Sequence, residues 1–189
     1  GYQPQDLGLI TWSASLVATV NAVSDLGFLS THIKKVSEGK DLGDCVATFA
    51  LVKLCLTGAM SAAMVAIMLV WYFLAPTTPS SEQMAIIALY ILYNALLGLS
   101  SVITSTYEAR TEVAKSQFVV LLEPLVRVPI LLIVLIATLG NIAVVGSYIA
   151  GAAVMVLASW LMFHRDRMPL GKPRFVREYA LFALPIAAI

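Results

Sequence analysis

Five apolar runs, each about 18 residues or longer, decide what this chain can fold into. They lie at roughly Leu7 to Leu29, Cys45 to Leu74, Met84 to Thr106, Phe118 to Gly140 and Ile142 to Phe163. A sixth begins near Phe175 and reaches Ile189. A hydrocarbon core ~30 Å thick needs ~20 helical residues to cross it, so each complete run reads as a membrane span. The second run is long enough to tilt or to project beyond the bilayer. No run alternates polar and apolar residues as barrel strands do, and only helices and closed barrels satisfy the backbone in lipid. The expected fold is an all-α integral membrane protein, a polytopic transmembrane helix bundle. Residues 1–174 hold the complete spans, and 175–189 start a further one. Charge agrees: 12% of the residues are charged, against about 25% in a soluble domain.

The connecting segments alternate in charge. Ten of the 12 basic residues fall on three of them, counted in chain order. Thr31 to Asp44 carries Lys34, Lys35 and Lys40, Tyr107 to Gln117 carries Arg110 and Lys115, and His164 to Glu178 carries five more. Ala75 to Gln83 and the turn at Gly140 and Asn141 carry none. The positive-inside rule places the three basic segments in the cytoplasm, so the expected localisation is the cytoplasmic membrane, multi-pass. Aromatics mark the same boundaries: Trp71, Tyr72 and Phe73 close the second span, and Trp160 and Phe163 close the fifth. On this topology the residues before Leu7 lie outside. We therefore expect a longer protein, with one more helix before Gly1 and more chain after Ile189.

Chemistry-bearing motifs are scarce. The sequence has no nucleophile motif, phosphate-binding glycine loop or metal-ligand spacing, so no catalytic residue, cofactor or metal is expected. Cys45 and Cys55 read as small apolar packing residues. His32 and His164, each beside a basic segment, read as helix-end residues. What remains are polar groups inside spans, which are costly and so functional candidates. Lys53 lies about eight residues, ~12 Å, past the cytoplasmic start of the second span. Arg127 lies ~14 Å into the fourth by the same arithmetic. The two cations reach similar depths from one side, as a cavity accepting an anionic head group requires. Glu123, four residues before Arg127, is placed for an ion pair on one helix face, which offers a structural reading beside a coupling one. Pro124 and Pro129 bracket the same stretch and remove backbone hydrogen bonds there. Asp25, in SDLGF, is a candidate for coupling or gating. Asn21 and Asn94 read as interhelical hydrogen-bond partners. Gly58, Ala62 and Ala66, and likewise Ser147 and Gly151, have the small-residue spacing of helix-packing faces.

These segments also resemble a known family. PQDLGLITWSASLVATVNAVSDLGF is similar to the second helix of Wzx-like polysaccharide flippases, in which an external G-P-x-x-[FY]-G segment precedes an apolar helix ending in D-L-G. Asp25, Leu26 and Gly27 match the signature; Pro4, Asp6 and Gly8 match the opening, with Leu7 where an aromatic is common. YEARTEVAKSQ resembles the basic loop between the family's helices four and five, and FVREYALFALPIAAI, with Leu184 and Pro185, the start of helix seven. The resemblance implies an N-terminal lobe of the multidrug/oligosaccharidyl-lipid/polysaccharide (MOP) exporter superfamily, helices two to six plus the start of seven. It implies a transporter, not an enzyme, that flips a polyprenyl-diphosphate-linked oligosaccharide for cell-surface glycan biosynthesis. Lys53 and Arg127 would bind the diphosphate. Implied partners are the lipid-linked glycan, membrane lipids and other glycan-assembly membrane proteins, but no nucleic acid. A cation-coupled multidrug exporter of the same superfamily is the nearest alternative. An integral-membrane lipid-phosphate enzyme is a more distant one, because it needs an Asp, His or Glu cluster at one membrane face.

Overall fold

Local chemistry sets where the helices break. The structure is a computed structural model describing residues 4–22, 27–74 and 79–187, with the side chains of 4–6, 20–22 and 182–187 outside the description. The described residues form α1 (Pro4–Ala22), α2 (Phe28–Ser37), α3 (Leu42–Leu74), α4 (Ser81–Ala109), α5 (Val113–Ile136), α6 (Asn141–Arg165) and α7 (Val176–Ala187). Asp41 caps α3, its Oδ1 accepting the Asp44 amide proton at 2.9 Å. Ser80 and Gln83 form a reciprocal capping box on α4, at 3.1 and 2.8 Å. The C-termini of α2, α4, α5 and α6 all close in Schellman motifs. In α4, for example, the Glu112 amide reaches the Tyr107 carbonyl and the Thr111 amide the Glu108 carbonyl. Pro124 and Pro129 lie inside α5, which stays one helix through both.

Among the described residues four helices, α3 to α6, are long and apolar enough to cross a membrane. The first apolar run departs from expectation. α1 is described as far as Ala22, and α2 starts after Gly27, whose φ of 77° is left-handed. Glycine adopts that conformation without strain, and hydropathy is blind to it. The run expected from Leu7 to Leu29 thus holds α1, 19 described residues or about 28 Å long, and past Gly27 the start of a separate α2.

α4 is the hub, touching α1, α2, α3, α5 and α6. One apolar cluster joins Ile10 and Val17 of α1, Met64 and Met68 of α3, Ile86, Ile87 and Tyr90 of α4, and Val145 of α6. A smaller one, Phe49, Val102 and Tyr179, lies near the opposite end. Large apolar side chains also face outward, among them Leu125 (65% exposed), Ile133 (63%) and Ile136 (84%). On one face of a helix of this length, that pattern suits lipid. This is a membrane-embedded helical bundle.

The ends of the bundle are chemically distinct. At one, the three basic segments meet: Lys35 pairs with Glu178 at 3.0 Å, Arg174 with Asp44 at 3.4 Å and Lys115 with Asp166 at 2.6 Å. At the other, Trp12 stacks edge-on against Trp71 at 5.3 Å and Asn141 Nδ2 donates to Glu82 at 3.1 Å. The alternation of charge along the sequence thus becomes two faces of one molecule.

Small residues pack on only one of the two expected faces. Ser147 and Gly151 are buried, and a Cβ at Gly151 would lie 2.6 Å from the Glu123 carbonyl oxygen of α5. Gly58, Ala62 and Ala66 are exposed, which corrects the expectation that they pack. α3 instead turns Lys53, Met64 and Met68 inward, a stripe about 150° round the helix from the small residues. Gly151→Ala is expected to cost ~1–3 kcal/mol, because backbone must move. Ala62→Leu should stay within about 0.5 kcal/mol. Thermal unfolding in detergent compares them, and equal losses would show that Ala62 packs against protein after all.

Candidate functional site

α5 places Glu123 and Arg127 one turn apart, so their side chains meet on the face turned toward α4 and α6. Arg127 Nη1 lies 3.1 Å from Glu123 Oε1. The guanidinium carbon stands 4.6 Å from the Tyr148 ring centre of α6, a cation–π contact. Tyr93 of α4 donates its hydroxyl to Glu123 Oε1 at 3.3 Å. Tyr90, Tyr93 and Tyr148 lie edge-to-face, their centroids 5.5 to 6.4 Å apart. Glu123 is buried, whereas the Arg127 side chain keeps 26% of its surface. The carboxylate is thus held by two protein partners at Oε1, while part of the guanidinium faces outward. Gly151 makes the site compact by letting α6 approach the backbone of Glu123 and the Cβ of Arg127.

Lys53 sits apart from this cluster. It is 6% exposed and lines a cavity of about 250 Å³ with Leu54, Thr57, Gly58, Ser61, Ala95, Gly98 and Leu99. Those residues belong to α3 and α4, and Arg127 is not among them. The structure therefore places the two candidate cations on different helix pairs, with α4 contributing to both. Asp25 lies outside the described residues, as does the side chain of Asn21. Asn94 Nδ2 donates to the Tyr90 carbonyl of its own helix at 2.9 Å. Cys45 is buried and Cys55 exposed, both as free thiols. Among the described residues no group of His, Cys, Asp and Glu is placed to hold a metal.

The basic end is tied down as well as charged. Asp44 Oδ1 accepts the Lys172 amide proton at 2.8 Å, and Thr48 Oγ1 accepts that of Phe175 at 3.3 Å. The segment before α7 is thereby held to the first turns of α3. Asp166 is held below the usual carboxylate range, chiefly by its hydrogen bond from Lys115.

The sequence profile described as polysaccharide biosynthesis protein matches residues 2–188. The chain belongs to that family. Comparison with curated proteins and with solved structures returned no match. This polysaccharide biosynthesis protein is thus a membrane protein that shares its family's pattern almost end to end.

One site in it escaped the sequence. His32 is not a helix-end residue but is fully buried in the middle of α2. Its ring stacks on Phe49 of α3, with centroids 4.4 Å apart. Nε2 lies 3.1 Å from Thr106 Oγ1 of α4, and Nδ1 lies 2.9 Å from Tyr179 Oη of α7. Thr106 commits its own proton to the Val102 carbonyl, at 2.7 Å. Nε2 must therefore be the protonated nitrogen and donate to Thr106, while Nδ1 accepts from Tyr179. The ring is neutral, and burial pushes its pKa down to about 4. No local motif announces this, because the partners are 74 and 147 residues away. His164 does lie at a helix end, edge-on to Trp160 at 4.4 Å.

Proposed function

We propose that this protein flips a polyprenyl-diphosphate-linked oligosaccharide from the cytoplasmic to the outer leaflet of the cytoplasmic membrane, by alternating access. The family match over residues 2–188 carries this reading. The chain forms most of an N-terminal MOP-like lobe. A bundle that holds a buried Lys53 and a half-buried Arg127 at two inner positions suits anion transport. In this reading Lys53 and Arg127 meet the diphosphate at successive positions beside α4. Arg127 offers paired N–H donors and Lys53 a point charge.

Loss of the protein should leave lipid-linked glycan on the inner leaflet and remove it from the cell surface. Purified protein in vesicles should restore translocation of a labelled glycan lipid. Vesicles that translocate cationic drugs and leave the glycan lipid in place would refute the reading.

The same reading fixes sidedness. In a cysteine-free background, a cysteine at Ser81 is expected to label in intact cells. A cysteine at Ser37, exposed at the basic end, is expected to label only after permeabilisation. The opposite pattern would invert the topology.

A further inference from the structure

A second cavity, of about 350 Å³, lies between α3, α4 and α6 on the side of the basic end. Its walls are almost wholly hydrocarbon: Ala50 and Leu54 from α3, Leu99 and Ile103 from α4, and Val156 and Trp160 from α6. Leu54, Leu99 and Trp160 are 52%, 44% and 56% exposed, so the groove opens on the outside of the bundle. It is not isolated. Leu54 and Leu99 also line the cavity that holds Lys53, Thr57 and Ser61. Two leucines therefore join a cavity lined by a buried cation and two hydroxyls to an apolar groove on the outside of the bundle.

That pairing has the two-part chemistry of an anionic lipid. A phosphate beside Lys53 gains a counter-charge in a low-dielectric setting. A chain attached to it needs an apolar exit at the same level, and the groove past Leu54 and Leu99 provides one. We propose that the groove between α3, α4 and α6 seats the polyprenyl chain of the lipid-linked substrate while its phosphate lies beside Lys53. The inference rests on the flippase reading and adds where the chain goes.

The test uses the full-length protein in detergent, with native mass spectrometry to score binding of undecaprenyl phosphate and of phosphatidic acid. Val156→Trp fills the groove, Leu99→Trp blocks its junction with the Lys53 cavity, and Leu157→Trp, on an exposed part of the same helix, is the control. Wild type and Leu157→Trp should bind undecaprenyl phosphate alike. Val156→Trp and Leu99→Trp should each weaken it about tenfold with unchanged melting temperature, as loss of a few methylene contacts requires. If one of them fails to fold, the other decides. Undiminished binding in a folded groove variant would overturn the chain seat and leave the flippase reading standing. No binding of undecaprenyl phosphate by wild type would overturn both. Equal binding and equal loss for phosphatidic acid would make the groove a general lipid site and sink the inference.

Discussion

Replacing Glu123 and Arg127 together by glutamine is expected to leave a folded protein whose glycan export falls at least about tenfold. The single change Arg127→Ala is the wrong experiment. It strips a buried carboxylate of its cation, and breaking such a pair costs about 3–5 kcal/mol. Tyr93 would still donate to Glu123, but at 3.3 Å one phenol is a poor substitute for a guanidinium at 3.1 Å. The double glutamine variant removes both charges and keeps groups able to hydrogen-bond to each other and to Tyr93. Arg127→Lys adds a second comparison: it keeps the charge, loses the forked donors and weakens the planar contact with Tyr148. Export should fall in the order wild type, Arg127→Lys, double variant. Should the double variant fold and export normally, the pair serves structure alone, and diphosphate binding must be sought at Lys53.

A drop from pH 7.5 to 5 should remove about 2 kcal/mol of stability from the wild type and almost none from His32→Gln. In the folded protein His32 stays neutral until pH falls to about 4, whereas an unfolded histidine takes up its proton near 6.5. Between those values protons bind only the unfolded form and pull it forward. Stability is therefore full above pH 6.5, declines through the window and levels off below pH 4. The charged neighbours leave the window to His32. Lys35 on α2 is pushed to higher pKa, foremost by its hydrogen bond to Glu178 of α7, and stays protonated throughout. Glutamine can still reach Thr106 and Tyr179 but does not titrate. Melting curves in detergent at the two pH values check the difference. An equally pH-sensitive His32→Gln would assign the effect elsewhere.

The fold was legible where it depended on composition averaged over a helix. α3 to α6 fall within a few residues of the second to fifth apolar runs, because about 20 apolar residues in succession have few other destinations. The meeting of the basic segments at one end was legible for the same reason. What depended on one residue's conformation or on distant partners was not. Gly27 splits the first run through a left-handed φ that leaves no trace in hydropathy. The Gly58, Ala62 and Ala66 spacing looked like a packing stripe, yet spacing fixes only which residues share a face, not which way the face turns. The Glu123–Arg127 pair was readable from its four-residue interval, whereas Tyr93 and Tyr148 came from other helices. Lys53 is buried within α3. That its cavity is built from α3 and α4 needed three dimensions.

The hydrogen bond between His32 and Tyr179 has a consequence in time. The two residues are separated by 147 positions, with α3 to α6 between them. At roughly 5–20 residues per second, about 7 to 30 seconds pass during synthesis between the appearance of the imidazole and that of its phenol. Through that interval Nδ1 cannot have its final partner, and water is the natural substitute. Closure of the basic end thus waits for α7, whose arrival displaces that water. A nascent bundle stalled before α7 would already have its spans in place while one corner stayed wet.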